Sequence, residues 1–296
     1  FFFAWIVHPK TFDGKRYSLR DSIKRIFIKP MIKQMILSGG FYYMDKSCSD
    51  SINKYFNINP DNEYLPIPVM GIEKKNNAIL NSLIVKKNKD EIPLSYIGRA
   101  ANWKVNPVKK IISDLSEIKN KSKKEFILHI FTDDVEEFKK LLSYDSCEIE
   151  IIYHANIFGR ELDDFIKNKI LINLAMGTSA LESAKLGIPS ILLDASYGEF
   201  PHNYKYNWVY STESFSLGKV IDEDYTPTEG YTLDEIFKQV FEDESFICDI
   251  SNRCLEYTEL NHNIETVASL FLEKANHCTN RITPNIRNSF FDFLSL

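Results

Sequence analysis

Apolar residues along this chain fall into two patterns. Some recur at helical spacing, and others run unbroken over a short stretch, as expected of strands buried on both faces. Phe2 to His8 reads as an apolar strand. Leu19, Ile23, Ile26, Phe27, Met31 and Ile32 predict a helix from about Ser18 to Leu37. Pro30 should kink or split it, and Ser38-Gly39-Gly40 should end it. Phe41 to Met44 predicts a short strand and Ser49 to Phe56 a short helix. A polar stretch, Asn57 to Glu63, leads into Leu65-Pro66-Ile67-Pro68, where prolines favour an extended linker. Residues 71 to 91 carry little signal.

From Ile92 the pattern sharpens. Strands are expected at Leu94–Gly98, Phe126–Phe131, Ile149–Tyr153, Ile170–Leu174 and Ser190–Leu193. Between them Val108, Ile111, Ile112, Leu115 and Ile118 mark one amphipathic helix, with Asn106-Pro107 as its cap and first position. Val135, Phe138, Leu141 and Leu142 mark another, and Arg160–Lys167 and Ser179–Leu186 two more. An irregular stretch runs from Asp194 to about Thr232, and helical patterns follow over 233–244 and 249–275. Apolar strands alternating with helices predict an α/β protein whose Rossmann-like parallel sheet is covered on both faces, preceded by a partial second α/β unit. The expected division is 1–64 as the C-terminal part of a truncated first unit, 65–91 as a linker, 92–280 as the main unit and 281–296 as a tail. The apolar start, Phe1 to Val7, reads as a strand exposed by truncation, so upstream sequence is expected to be missing.

Composition narrows this little. The 296 residues are 44% hydrophobic, enough for a sizeable core. A net charge of −5 gives no general reason to expect nucleic acid as a partner. The five cysteines, Cys48, Cys147, Cys248, Cys254 and Cys278, show no CxxC or Cys/His ligand spacing, so neither a disulfide framework nor a zinc site is expected. A reducing, cytoplasmic compartment fits. No apolar run reaches the roughly 18–20 residues of a spanning helix.

Two loops carry candidate chemistry, because ligands of open parallel sheets bind at the carboxyl ends of strands. After the strand at Leu94, Gly98 would let a ligand approach the backbone, and Arg99 and Lys104 would bring two cations to one edge, suited to a diphosphate. The plainer alternative is two solvated cations beside a turn. After the strand at Ile170, Gly177 allows close approach, and the N–H groups near Thr178 and Ser179 would form an anion site. Glu182 would accept from ribose hydroxyls, or would complete a capping box with Ser179. His154 and Asn156 follow another strand and are candidates for the nucleobase vicinity, against a plain loop. The Ser196–His202 loop shapes a sugar pocket or is a surface loop. Asp133-Asp134 is better explained as a helix cap than as a metal site. No metal and no cofactor is expected.

Gly98-Arg99 with Lys104 resembles the GR-x4-K loop of the large retaining nucleotide-sugar glycosyltransferase family of GT-B fold. The segment Glu182-Ser183-Ala184-Lys185-Leu186-Gly187-Ile188-Pro189-Ser190 is similar to that family's E-A-x-x-x-G-x-P-V/I segment, which follows the donor loop. The resemblance covers about 92 to 275. It implies a C-terminal donor-binding domain behind part of an N-terminal acceptor domain, with Arg99 and Lys104 on the donor diphosphate and Glu182 on the ribose. The family's E-x7-E motif departs here, because its first glutamate falls on Leu174. The sugar would then be held by the amides of Gly177 to Ser179. Trp5-Ile6-Val7-His8-Pro9 looks like the acceptor-domain strand that ends in a functional histidine, which makes His8 the catalytic candidate.

The implied function is transfer of a sugar from a nucleoside diphosphate sugar to a carbohydrate or lipid-linked acceptor, in cell-surface polysaccharide biosynthesis. The alternatives are a sugar-nucleotide 2-epimerase on the same fold and a non-catalytic GT-B-like binding protein. The helix over 18–37, with Arg20, Lys24, Arg25, Lys29 and Lys33 opposite an apolar face, suits peripheral contact with the inner face of the cytoplasmic membrane.

Overall fold

The structure is a computed structural model that describes residues 4–7, 19–143, 148–221, 225–226, 229–243 and 245–279, with side chains in the first helix described at 26 and from 28 onward. By contacts the chain divides into two units, Phe1–Pro68 with Ile264–Leu296, and Val69–Asn263.

The first unit opens with strand β1 (Ala4–Ile6) and helix α1 (Leu19–Leu37). Pro30 does not split α1. Gly39, at φ 66°, lets the chain turn, and Gly40 N–H returns to Met35 O at 2.8 Å, as in a glycine-terminated helix. Strand β2 (Phe41–Tyr43) then pairs in parallel with β1. Helix α2 (Lys46–Phe56) starts at Asp45, whose carboxylate accepts from Cys48 N–H at 2.8 Å. Ile32, Met35, Phe41, Tyr43, Cys48, Ile52 and Phe56 form its core.

The second unit begins with helix α3 (Asn77–Lys87), inside the segment expected as a linker. Its anchors are two buried lysines. Lys86 Nζ donates to Lys167 O (2.8 Å) and Ile170 O (2.9 Å), and Lys87 Nζ to Val240 O (3.1 Å) and Asp243 O (2.9 Å). These carbonyls belong to helix C-termini, which lack intrahelical donors.

Strand β3 (Glu91–Ile97), helix α4 (Asn102–Ser122), strand β4 (Glu125–Thr132), helix α5 (Val135–Leu142), strand β5 (Glu150–Ala155) and helix α6 (Gly159–Lys169) follow. Strand β6 (Ile172–Ala175), helix α7 (Thr178–Ala184) and strand β7 (Ser190–Leu192) complete the alternation. Short strands β8 (Ala195–Ser196), β9 (Asn207–Trp208) and β10 (Val220–Ile221) lie in the irregular stretch, before helices α8 (Leu233–Glu242) and α9 (Phe246–His262). The chain then returns to the first unit as α10 (Ile264–His277), so the helical pattern expected over 249–275 is two helices.

The main sheet has the order β5-β4-β3-β6-β7-β9, parallel throughout except for the edge pair β7–β9. Ile92, Leu94, Leu128, Ile130, Ile172, Leu174 and Ile191 are fully buried, as strands covered on both faces require. Edge strand β5 is mostly half-buried. From β3 the chain winds outward to β5, then crosses back to β6 on the other side of β3. The carboxyl ends of β3 and β6 therefore flank the point where the winding reverses, the place where such sheets bind ligands.

Candidate functional site at the winding reversal

Strands β3 and β6 run side by side with Ile97 opposite Ala175, so the loops that leave them, Gly98–Ala101 and Met176–Gly177, are adjacent. Sequence separates these loops widely, and the sheet brings them together.

The first loop is tied to β4. Gly98 N–H donates to Phe131 O (3.0 Å) and Ala100 N–H to Asp133 Oδ1 (2.9 Å). That Ala100 bond, with donors from Thr132 and Asp134, holds the Asp133 carboxyl below its ordinary pKa. Asp134 caps α5 through Glu137 N–H (2.9 Å), which leaves both aspartates with structural partners. Gly98 has a packing reason that its sequence did not suggest. A side chain there would overlap the Tyr96 ring, whose hydroxyl donates to Lys104 O (3.0 Å).

Helix α4 begins earlier than Asn106-Pro107 predicted. It starts at Asn102 with no side-chain cap, and Pro107 lies inside it. Asn106 is not the cap; its amide donates to Ser196 O (2.9 Å) and Gly198 O (3.0 Å). The earlier start puts Lys104 in the first helical turn, where the N–H groups of Asn102 and Trp103 also lack intrahelical acceptors. Arg99 is exposed and Lys104 half-buried. Among the described residues neither is in an ion pair. Burial pushes the Lys104 pKa down, Arg99's charge lowers it further, and Asp133 pulls the other way. Its ammonium lies 5.0 Å from the Trp103 ring centre. Two cations thus crowd one edge, with Asp133 acting on Lys104 from a distance and neither cation in an ion pair among the described residues.

The second loop supplies backbone. Gly177 has φ 65° and ψ −146°, a conformation essentially restricted to glycine, and an added side chain would meet nothing within 4 Å. Its own N–H is committed to Leu217 O (2.7 Å), so it is not an anion donor. The free donors at this turn are Thr178 and Ser179, the first two residues of α7. Asn173, buried in β6, accepts from Ser95 Oγ (2.8 Å) and reaches Ser179 O at 3.5 Å, fixing this turn on the sheet.

Glu182 does not take the expected capping role. The N-cap of α7 is Gly177, and no side-chain cap bond is made, so the Ser179–Glu182 capping box does not form. Glu182 instead pairs with Lys185, which also reaches Asp163 at 3.3 Å. Burial alone would lower the Lys185 pKa, but the bond and charge of Glu182, with Asp163 behind them, raise it.

His154 and Asn156 lie at the β5 edge, across β4 from the two loops. His154 stacks on Phe131 (centroids 4.5 Å apart) and bonds to His129 at 2.9 Å between Nε2 and Nδ1. Burial lowers the His154 pKa, and burial with His154 beside it pushes His129 down to about 4. Asn156 is exposed in a left-handed conformation, φ 56°. His8, Cys147 and the tail 281–296 lie outside the described residues.

Sequence reasoning missed Asp194, which follows β7 at the same edge. Burial raises its pKa, against the Lys219 N–H it accepts at 2.8 Å. Its signal was its position directly after Ile191-Leu192-Leu193, where a polar residue meets the carboxyl end of a strand.

This sheet order, with a second α/β unit before it, is the GT-B glycosyltransferase-like fold, Rossmann-like and parallel with helices on both faces. Its structural neighbours include glycosyltransferases. A glycosyltransferase from Rickettsia africae ESF-5 superimposes with TM-score 0.56 at 13% identity, over 90% of this chain and 69% of that one. Anabaena Alr3699/HepE in complex with UDP gives 0.57 at 11% identity, over 92% and 71%. WaaG, a glycosyltransferase involved in lipopolysaccharide biosynthesis, gives 0.54 at 11% identity, over 94% and 75%. This chain spans 49% of the TarM chain, another neighbour. No family model and no curated protein matches this chain.

Proposed function

We propose that this chain is the donor-binding half of a glycosyltransferase, with part of the acceptor-binding unit before it. It moves a sugar from a nucleoside diphosphate donor to a carbohydrate or lipid-linked acceptor in cell-surface polysaccharide assembly. The observation that carries this reading is the pair Arg99 and Lys104, without ion-pair partners among the described residues, beside the open turn at Gly177. Transfer breaks the bond between the anomeric carbon and the diphosphate oxygen, and the acceptor hydroxyl forms the new one. Negative charge collects on the departing diphosphate, where Arg99, Lys104 and the amides of Thr178 and Ser179 stabilise it. Glu182 turns from Lys185 to the ribose hydroxyls, and His154 and Asn156 border the base. His8 serves the acceptor side. The UDP carried by one structural neighbour supports a nucleotide donor.

An epimerase acting on the same donor would need carboxylates at the sugar, and Leu174 is apolar and fully buried. We place the protein in the cytoplasm, with α1 against the membrane's inner face. Ile26 (70%) and Leu37 (89%) are exposed on α1, and Lys33 is exposed between them. No helix among the described residues is long and apolar enough to cross a membrane.

Isothermal titration with UDP, GDP, ADP, CDP and dTDP tests the donor reading. Binding of at least one, much stronger than that of its nucleoside, is expected. No binding to any of them overturns it.

A further inference from the structure

The same sheet edge carries an aromatic pair that the diphosphate reading leaves unused. Trp103 is the second residue of α4, beside Lys104. Tyr197 stands on the loop after β8. Their ring centroids are 6.3 Å apart, with planes inclined by 35°. Tyr197 is 52% exposed, unusually open for an aromatic residue that already meets another ring.

Their approach is fixed by hydrogen bonds on either side of Tyr197. The Asn106 amide holds the carbonyls of Ser196 and Gly198 at 2.9 and 3.0 Å. Ser196 Oγ also donates to Gly198 O at 3.2 Å. The loop is thus clasped to the second turn of α4. Helix α4 leaves from β3 and the loop from the β7 side, and β6 lies between those strands. The aromatic pair therefore joins elements that leave the strands on either side of β6, whose own carboxyl end carries Gly177 and the anion donors.

A sugar nucleotide is a linear ligand: base, ribose, diphosphate, sugar. With the diphosphate at the β3 and β6 loops, its two ends point toward opposite sides of the sheet. The β5 side offers His154 and Asn156, and the β7 side offers Tyr197, which Trp103 meets from the helix after β3. A pyranose presents one face of C–H groups and a rim of hydroxyls. It suits an exposed aromatic face with a phenol at its border.

We propose that Trp103 and Tyr197 seat the sugar ring of the donor and set its orientation where Leu174 provides no carboxylate. This inference rests on the donor-binding reading above. Tyr197 contributes mainly its exposed ring. Trp103 supports that ring and borders Lys104.

The test compares UDP with UDP-glucose and GDP with GDP-mannose by titration calorimetry. It uses the full chain as wild type, Tyr197→Ala, Tyr197→Phe and Trp103→Phe. For whichever pair the wild type binds, Tyr197→Ala should weaken the sugar nucleotide by about fivefold and leave the nucleoside diphosphate within about twofold. Tyr197→Phe keeps the ring and should restore most of the difference. Equal weakening of both ligands, as expected if the ring stacks on a base or only props the loop, overturns the proposal. So does an unchanged affinity for the sugar nucleotide. A wild type that binds none of UDP, GDP, ADP, CDP and dTDP removes the donor reading and this inference with it. A wild type that binds nucleoside diphosphates while Tyr197→Ala behaves like it removes this inference alone.

Discussion

Lys104 shows how a residue's surroundings decide its use. An exposed lysine near a turn has water for company and little to gain from a ligand. Lys104 is half-buried, crowded by Arg99 and without an ion-pair partner among the described residues. Replacing Arg99 or Lys104 by alanine should each weaken nucleoside diphosphate binding by roughly 1.5–3 kcal/mol, the value of a charged hydrogen bond, and change nucleoside binding much less. The pH dependence follows from the direction of the shift. Binding needs the ammonium, and Lys104 gives up its proton below the ordinary lysine range. Affinity should therefore fall as pH rises through that lowered value. Lys104→Arg stays charged and should hold its affinity to higher pH. Calorimetry from about pH 7 to pH 10 checks this; matching alkaline limbs for both proteins would contradict it.

Glu182 is a case where the structure offers a third role besides cap and ribose ligand. Its partner Lys185 keeps Asp163 at 3.3 Å if Glu182 is neutralised. Glu182→Gln should then cost no more than about 1 kcal/mol of stability. Nucleotide affinity should fall by about tenfold, equivalent to roughly 1.4 kcal/mol. Lower stability with unchanged affinity would leave Glu182 only as the partner of Lys185. His129 makes a claim on stability alone. Its folded pKa of about 4 lies below the ordinary 6.5, so the folded state binds fewer protons between these values. Stability should fall as pH drops through that window, and His129→Phe should flatten the fall. Denaturation curves for both proteins at each end of the window decide it.

At the scale of elements, what could be read from sequence depended on what each element uses as an anchor. Strands β3, β4, β6 and β7 were legible because burial on both faces demands unbroken apolar runs. Helix α4 was legible through Val108, Ile111, Ile112, Leu115 and Ile118, all buried, but its start was not. No side chain caps it, and Asn106-Pro107 imitates a start within its second turn. Helix α3 was missed because two of its anchors are Lys86 and Lys87, which read as solvent-facing charges, while Ile79 and Leu83 are few. If the lysines do hold the ends of α6 and α8, Lys87→Met should destabilise the protein by about 1.5–3 kcal/mol. Lys89→Met, at an exposed position, should change little. Equal melting points for the two variants would mean that the carbonyls do not need Lys87.

At the scale of the whole molecule, the candidate site exists only because of topology. The motifs at Gly98–Lys104 and Gly177–Glu182 could be picked out in the sequence, but their adjacency depends on β6 returning beside β3. Roles within the site were less legible. Gly98 makes room for Tyr96, the Gly177 N–H is spent on Leu217, and Asp194 was hidden as the end of a strand. These are tertiary contacts between segments distant in the chain, which local pattern does not encode. The fold is shared with glycosyltransferases at 13% identity or less, so the fold comparison stops short of the site and the site must be tested directly. The most direct measurement is a crystal structure of the full chain with the tightest-binding nucleoside diphosphate. The account predicts phosphate oxygens within about 3 Å of Arg99, Lys104 and the N–H groups of Thr178 and Ser179. A diphosphate bound away from the carboxyl ends of β3 and β6 would contradict it.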